Sequence, residues 1–167
     1  ADMLEHYDLP ESFSFAKIKP PAAKLKGFKP ATDGRYARAW DYFYGIADSD
    51  PQLFIAFKLM AEYGLRNSEA GRAKQHWLAE SCLSVEISKT KGVRQLPYQS
   101  EEDRELFLNH NPDGDFILRS HKTERRTDVW RRLNAQLKKL GFTGNKKAYE
   151  LRKYFGSQVA AQTKSVW

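Results

Sequence analysis

Residues 52–63 are apolar on nearly every side of a helix, with Leu53, Phe54, Ile55, Phe57, Leu59 and Met60 leaving little polar face for solvent. A helix of that kind has to be central to the core, and the other elements must be arranged to cover it. The run arrives at Gly64, which takes left-handed backbone angles without steric cost and is a natural helix stop. Asn67 and Ser68 are good caps for a new helix, and Glu69 falls where a carboxylate suits the first turn. Arg66 is thereby held at a junction beside the free N–H groups of a helix start, a good place for a phosphate. A surface ion pair between Arg66 and Glu69 is the plainer reading of the same residues, and the rest of the chain has to choose between the two.

The 167 residues are enough for one domain with a sizeable core, and a hydrophobic share of 41% excludes a disordered chain. No apolar run approaches the ~20 residues that a membrane-spanning helix needs. The first ten residues carry three acids and no apolar core, so no signal peptide is read there. The single cysteine, Cys82, excludes an internal disulfide and suits a reducing compartment. Four scattered histidines and that cysteine have no zinc-ligand spacing, so no metal site is expected. The net charge of +7 favours a polyanionic partner, nucleic acid before membrane surface, although solubility alone also accounts for it.

Along the chain, residues 1–31 read as the remnant of a preceding domain followed by an extended basic linker of prolines and lysines. The linker could lie along a nucleic-acid backbone or simply be solvated. Thr32 is a candidate cap for a helix over 34–47, with Tyr36, Trp40, Phe43, Tyr44 and Ala47 on one face. After the central helix, a helix is expected from Arg66 to about Gln75. Period-two alternation over 83–88 marks a half-buried strand, Lys89 to Gly92 a basic hairpin tip with glycine for the turn, and 93–98 the returning strand. A helix opens near Ser100 and runs through Leu108, and Phe116 to Leu118 could add a third strand. Residues 122–127 read as a basic loop. The next helix turns Val129, Trp130, Leu133, Leu137 and Leu140 inward and Arg131, Arg132, Lys138 and Lys139 outward, and Gly141 stops it. Asn145 is the expected cap of a last helix, 146–162, with Ala148, Leu151, Phe155 and Val159 as its apolar stripe. The fold class is therefore α+β, mainly α-helical: a helical bundle with a small antiparallel sheet of two or three strands.

Tyr149 and Arg152 are three apart on the last helix, on a face that borders the apolar stripe. With Arg66 and Lys89 they could bring two guanidiniums and an ammonium, each from a different element, to one phosphate. Phosphoryl transfer gains most from positioned positive charge, and without a metal site arginines must supply it.

The order of these motifs resembles the catalytic domain of the tyrosine recombinases, the phage-integrase family. The family's G-L-R-x-S-E box is seen here as Gly64 to Glu69, its hairpin K-T-x-x-x-R-x-x-P as Lys89 through Arg94 to Pro97, and its H-x-L-R-H box as Tyr149 to Lys153. The resemblance covers residues 32–167 and implies site-specific DNA recombination or integration, in which a tyrosine cleaves a strand and forms a 3′-phosphotyrosyl link. It implies that Arg66 and Arg152 clamp the scissile phosphate, that Lys89 protonates the leaving 5′ oxygen with Lys91 as the alternative, and that Glu69 orients the first arginine. Tyr149 stands where the family usually has histidine. A phenol can hydrogen-bond a phosphate but is a poor base near neutral pH, since it titrates near ~10. Lys153 replaces the second histidine of the box.

The family continues past this helix to its nucleophilic tyrosine, so the sequence ending at Trp167 is expected to be a fragment that binds double-stranded DNA without cleaving it. Lys91, Arg94, Lys122, Arg125, Arg126, Lys138, Lys139, Lys146, Lys147 and Lys153 are the expected DNA contacts. The fragment is expected to be a monomer, and the intact enzyme a cytoplasmic tetramer on paired sites, from a prokaryotic cell or encoded by a phage. The alternative is a non-catalytic DNA-binding module that keeps the recombinase fold.

Overall fold

Helix α2, Pro51–Ala61, is the pillar of the molecule. The Asp50 carboxylate caps it by accepting the Leu53 N–H at 3.2 Å, and Pro51 occupies the first turn, where no N–H is needed. Every residue from Leu53 to Ala61 is buried. In this computed structural model, which describes residues 28–87, 90–119 and 123–163, α2 is covered by α1 (Arg35–Gly45), the short α3 (Asn67–Ala70), α4 (Asp103–His110), α5 (Thr123–Lys139) and α6 (Lys147–Thr163). Side chains at 123–127 and 163 lie outside the description, as does the whole of the expected linker up to residue 27. Among the described residues no helix is long and apolar enough to cross a membrane.

One of the buried residues of α2 is Lys58, which the apolar pattern around it does not announce. Its ammonium lies 2.6 Å from Glu62, 3.0 Å from Asp103 and 3.1 Å from the Tyr44 hydroxyl. Burial disfavours the charged form, but these partners outweigh it and raise the Lys58 pKa above the usual lysine value. The Tyr63 hydroxyl donates to Asp103 and accepts the Gln99 N–H, so the network ties α1, α2 and α4 together.

The expected α1 changes in two ways. The Asp33 carboxylate, not Thr32, accepts the Arg35 N–H, at 3.1 Å, with Gly34 in the left-handed region at φ 78°. The core face is Tyr36, Ala39 and Phe43, whose ring stacks on Phe57 at 4.3 Å. Tyr44 is 47% exposed, because its hydroxyl is drawn to the Lys58–Glu62 pair at the rim.

Gly64 ends the helical run as expected, at φ 62°, and the Leu65 N–H reaches back to the Leu59 carbonyl at 2.9 Å. The helix expected up to Gln75 is only the single turn α3, followed by a 3₁₀ turn, Gln75–Trp77. Its continuation is prevented by backbone competition: the Ala73 carbonyl accepts the Ile117 N–H at 2.8 Å, and the Gln75 N–H goes to the Asp115 carbonyl at 2.9 Å. The third strand expected at 116–118 is reduced to an isolated bridge between Lys74 and Phe116, so the sheet has two strands.

β1 (Cys82–Ile87) pairs antiparallel with β2 (Gly92–Pro97), with Val85 opposite Arg94 and Ile87 opposite Gly92. The expected turn glycine is therefore in the ladder, and Lys91 takes the left-handed turn position at φ 51°. α5 begins at Thr123, so the stretch read as a basic loop is largely helix. Gly141, at φ 100°, ends α5 as expected. The Ala148 N–H at the start of α6 is accepted at 3.0 Å by Asn134 of α5, which takes the part assigned to Asn145.

A Cβ at Gly64 would overlap the Phe155 ring of α6 and would have to adopt a positive φ. Gly64→Ala is expected to destabilise the protein by about 2–4 kcal/mol, measured by denaturant unfolding, with the m-value unchanged.

Candidate phosphate-binding site around Glu69

Glu69 is the third residue of α3, and its carboxylate accepts the Arg66 N–H at 2.8 Å, which is half of a capping box. The cap position belongs to Arg66 itself, not to Asn67 or Ser68. The same carboxylate, only 8% exposed, meets three guanidiniums. Arg66 Nη1 lies 2.9 Å away, Arg94 Nη2 of β2 3.3 Å, and Arg152 Nη1 of α6 3.6 Å. The α2–α3 junction, the hairpin and the last helix thus deliver one cation each to one point. Arg152 Nη1 also donates to the Gly64 carbonyl, so the turn that stops α2 seats the arginine of α6.

Three guanidiniums against one carboxylate leave two net positive charges at the surface. Arg66 is half-exposed, whereas Arg152 and Arg94 are largely covered. Burial pushes the Glu69 pKa up, but the Arg66 N–H, the Arg94 charge and the Arg66 guanidinium outweigh it, and the net shift is downward. The Arg152 pKa is lowered, first by burial and then by the Arg66 charge, with Glu69 opposing. Two like charges held together in partial burial are an arrangement that an arriving anion relieves.

Tyr149, 38% exposed, lies on the Arg152 face of α6, and the Lys153 ammonium sits 5.6 Å from its ring centroid. A cleft of about 430 Å³ opens beside Glu69, lined by Arg72, Lys74, Trp77, Glu86 and Lys91 among others, so the described part of the hairpin tip borders the cluster. Lys89 and Lys122 lie outside the described residues, as do the side chains of Arg125 and Arg126. Lys138, Lys139 and Lys146 are exposed, and Lys147 is half-buried at the start of α6. The two other basic residues of the outer α5 face are tied to carboxylates: Arg131 pairs with Asp128 at 2.6 Å, and Arg132 pairs with Asp50.

The structure brings Arg66 and Arg152 together, the juxtaposition on which the sequence argument turned. It also places Arg94, assigned from sequence to peripheral DNA contact, inside the cluster. The register explains that position: Arg94 faces the buried Val85 across the ladder, so it shares the inward face of the strand pair. Arg72 and Lys74 reach the cleft because the helix expected over 66–75 stops after one turn.

The six helices and two-stranded antiparallel hairpin described here form the mainly helical α+β fold of the tyrosine recombinase catalytic domain. Two solved structures of lambda integrase share it. One, a tetramer bound to a Holliday junction, matches at a TM-score of 0.53 and 23% identity over 75% of this chain and 42% of that one. The other, a dimer bound to a COC′ core site, matches at a TM-score of 0.55 and 21% identity over 88% of this chain and 57% of that one. The chain therefore spans about half the length of the integrase chains it resembles. No protein-family model matches the sequence, and no curated protein matches it.

Because the folded pKa of Glu69 lies below the unfolded value of about 4.3, its contribution is complete above that value and is lost as pH falls through the folded pKa. Glu69→Gln is expected to cost about 2 kcal/mol at neutral pH and to flatten the acid limb of stability below about pH 4, followed by thermal melts across pH 7 to 3.

Proposed function

We propose that this chain is the catalytic core of a tyrosine-type site-specific recombinase acting on double-stranded DNA. The observation that carries the reading is the convergence of Arg66, Arg94 and Arg152, from three separate elements, on the single carboxylate of Glu69. The neighbours' complexes with DNA and the shared fold support it.

In the proposed reaction a tyrosine hydroxyl attacks a backbone phosphorus. A 3′-phosphotyrosyl bond forms, the bond to the 5′ oxygen breaks, and the 5′ oxygen leaves with a proton. Attack by the 5′ hydroxyl of a partner strand then reverses the step and frees the tyrosine. The ester bond energy is kept in the covalent link, so no nucleotide cofactor is required. Arg66 and Arg152 grip the non-bridging oxygens, where negative charge builds up in the transition state. Lys89 is the proposed proton donor to the 5′ oxygen, with Lys91 the alternative. Tyr149 donates a hydrogen bond to the phosphate in place of the more common histidine. Exposed Lys138, Lys139, Lys146 and Lys153 follow the DNA backbone, and residues 32–167 form the domain. By analogy with the integrase tetramer on a junction, four copies assemble on paired sites.

A second reading is a DNA-binding module that keeps the fold without the chemistry. The favouring observation is that Tyr149 and Lys153 stand where the family's box has its two histidines.

Two measurements test the proposal. Lys138→Ala and Lys139→Ala should each weaken binding to all duplex sequences alike and reduce the slope of log K against log salt by about one, read by fluorescence anisotropy. Weakening confined to one sequence would remove both from the phosphate contacts. In the cleavage-competent enzyme Arg152→Ala should abolish strand cleavage while duplex affinity falls by less than about threefold. Equal loss of both would make Arg152 a structural residue.

A further inference from the structure

If a phosphate is gripped by Arg66 and Arg152, it competes with Glu69 for both. Glu69 is buried, and a buried carboxylate stripped of its partners is strongly unfavourable. Something has to remain with it. Arg66 is free to leave, with half its side chain in solvent. Arg152 already has a second acceptor in the Gly64 carbonyl, so its guanidinium keeps a partner when Glu69 lets it go.

Arg94 differs from both. It comes from the inward face of β2 opposite the buried Val85. Its Nε is cut off from solvent and has no hydrogen-bond partner among the described residues, so Glu69 is the acceptor on which its guanidinium depends. Its Nη2 lies on Glu69 Oε2, the oxygen that also takes the Arg66 N–H and faces Arg152.

We propose that Arg94 is a positioning residue that stays paired with Glu69 when an anion binds, releasing Arg66 and Arg152 to the phosphate together. The inference rests on the recombinase-type phosphate site proposed above. It divides the three arginines into two that exchange one oxyanion for another and one that does not. Glu69 remains ionised throughout, and it keeps capping α3 through the Arg66 N–H while the Arg66 guanidinium moves.

The test is a charge-rescue cycle on this chain, with inorganic phosphate as probe and the arginine Nε–H signals in NMR, assigned by single substitution, as the site-specific readout. Phosphate should shift the Arg66 and Arg152 signals strongly and that of Arg94 weakly. Arg94→Gln should weaken phosphate binding about tenfold, because Glu69 then retains the other two arginines. The double variant Glu69→Gln with Arg94→Gln should recover to within about threefold of the unaltered chain, since glutamine keeps the cap acceptor but not the charge. If the double variant stays as weak as Arg94→Gln, Arg94 touches the anion itself and the proposal is wrong. An unaltered affinity in Arg94→Gln also overturns it. Should Arg94→Gln fail to fold, Arg94→Lys is read instead: it supplies the counter-charge and should bind phosphate nearly normally, and a loss of binding with an unaltered melt would reject the idea. Failure of the underlying site has a different signature, since Arg66→Gln and Arg152→Gln would then leave phosphate binding unaltered.

Discussion

The Glu69 carboxylate is where the local and the long-range order of this protein meet. It completes the start of a one-turn helix, and it collects guanidiniums from a helix junction, a hairpin and the last helix. A buried carboxylate is tolerated only when its lone pairs are occupied by charged donors, so the three elements cannot drift apart without exposing an uncompensated charge. The carboxylate keeps three repelling cations at one point, and the surplus of positive charge is what an anionic ligand would meet.

The platform beneath this cluster is α2, whose burial on all sides fixes where its end, Gly64, stands relative to α6. Two interactions convert that packing into site geometry. The left-handed turn at Gly64 reverses the chain into Arg66, and the Gly64 carbonyl accepts from Arg152. The Lys58 network with Glu62, Asp103, Tyr44 and Tyr63 does for the packing of α1, α2 and α4 what the Glu69 cluster does for the site. Both are satisfied polar groups set into a hydrophobic frame, which specify one arrangement of elements where apolar packing alone would accept several.

The chemistry proposed for the site would need no more than positioned charge and a path for one proton. The half-exposed Arg66 and the two covered arginines give a cluster that is preorganised but not saturated, which suits the proposed stabilisation of a phosphoryl transition state. The likeness to lambda integrase structures concerns the fold, and this cluster is the part of the molecule on which the functional reading depends.

The sequence by itself determined the order of the elements, the central helix, the stops at Gly64 and Gly141, the antiparallel hairpin, the apolar face of α5 and, in α6, the core residues Ala148 and Leu151. These follow from periodicity and from residues with special backbone freedom, and both act over a few neighbours in the chain. It also pointed to Arg66 and Arg152 as partners, through boxes whose spacing could be compared with a family. Only the tertiary structure decided the rest. α3 stops after one turn because residues 115–117 claim the backbone groups of Ala73 and Gln75, and the expected third strand is spent on the same contact. Lys58 could be buried only because Asp103, 45 positions along the chain, comes to meet it. Arg94 joined the site because the hairpin register turned it inward and folding carried that face to Glu69. Each of these outcomes is a competition for hydrogen-bond and charge partners far apart in sequence, and such competitions are settled only when the elements pack.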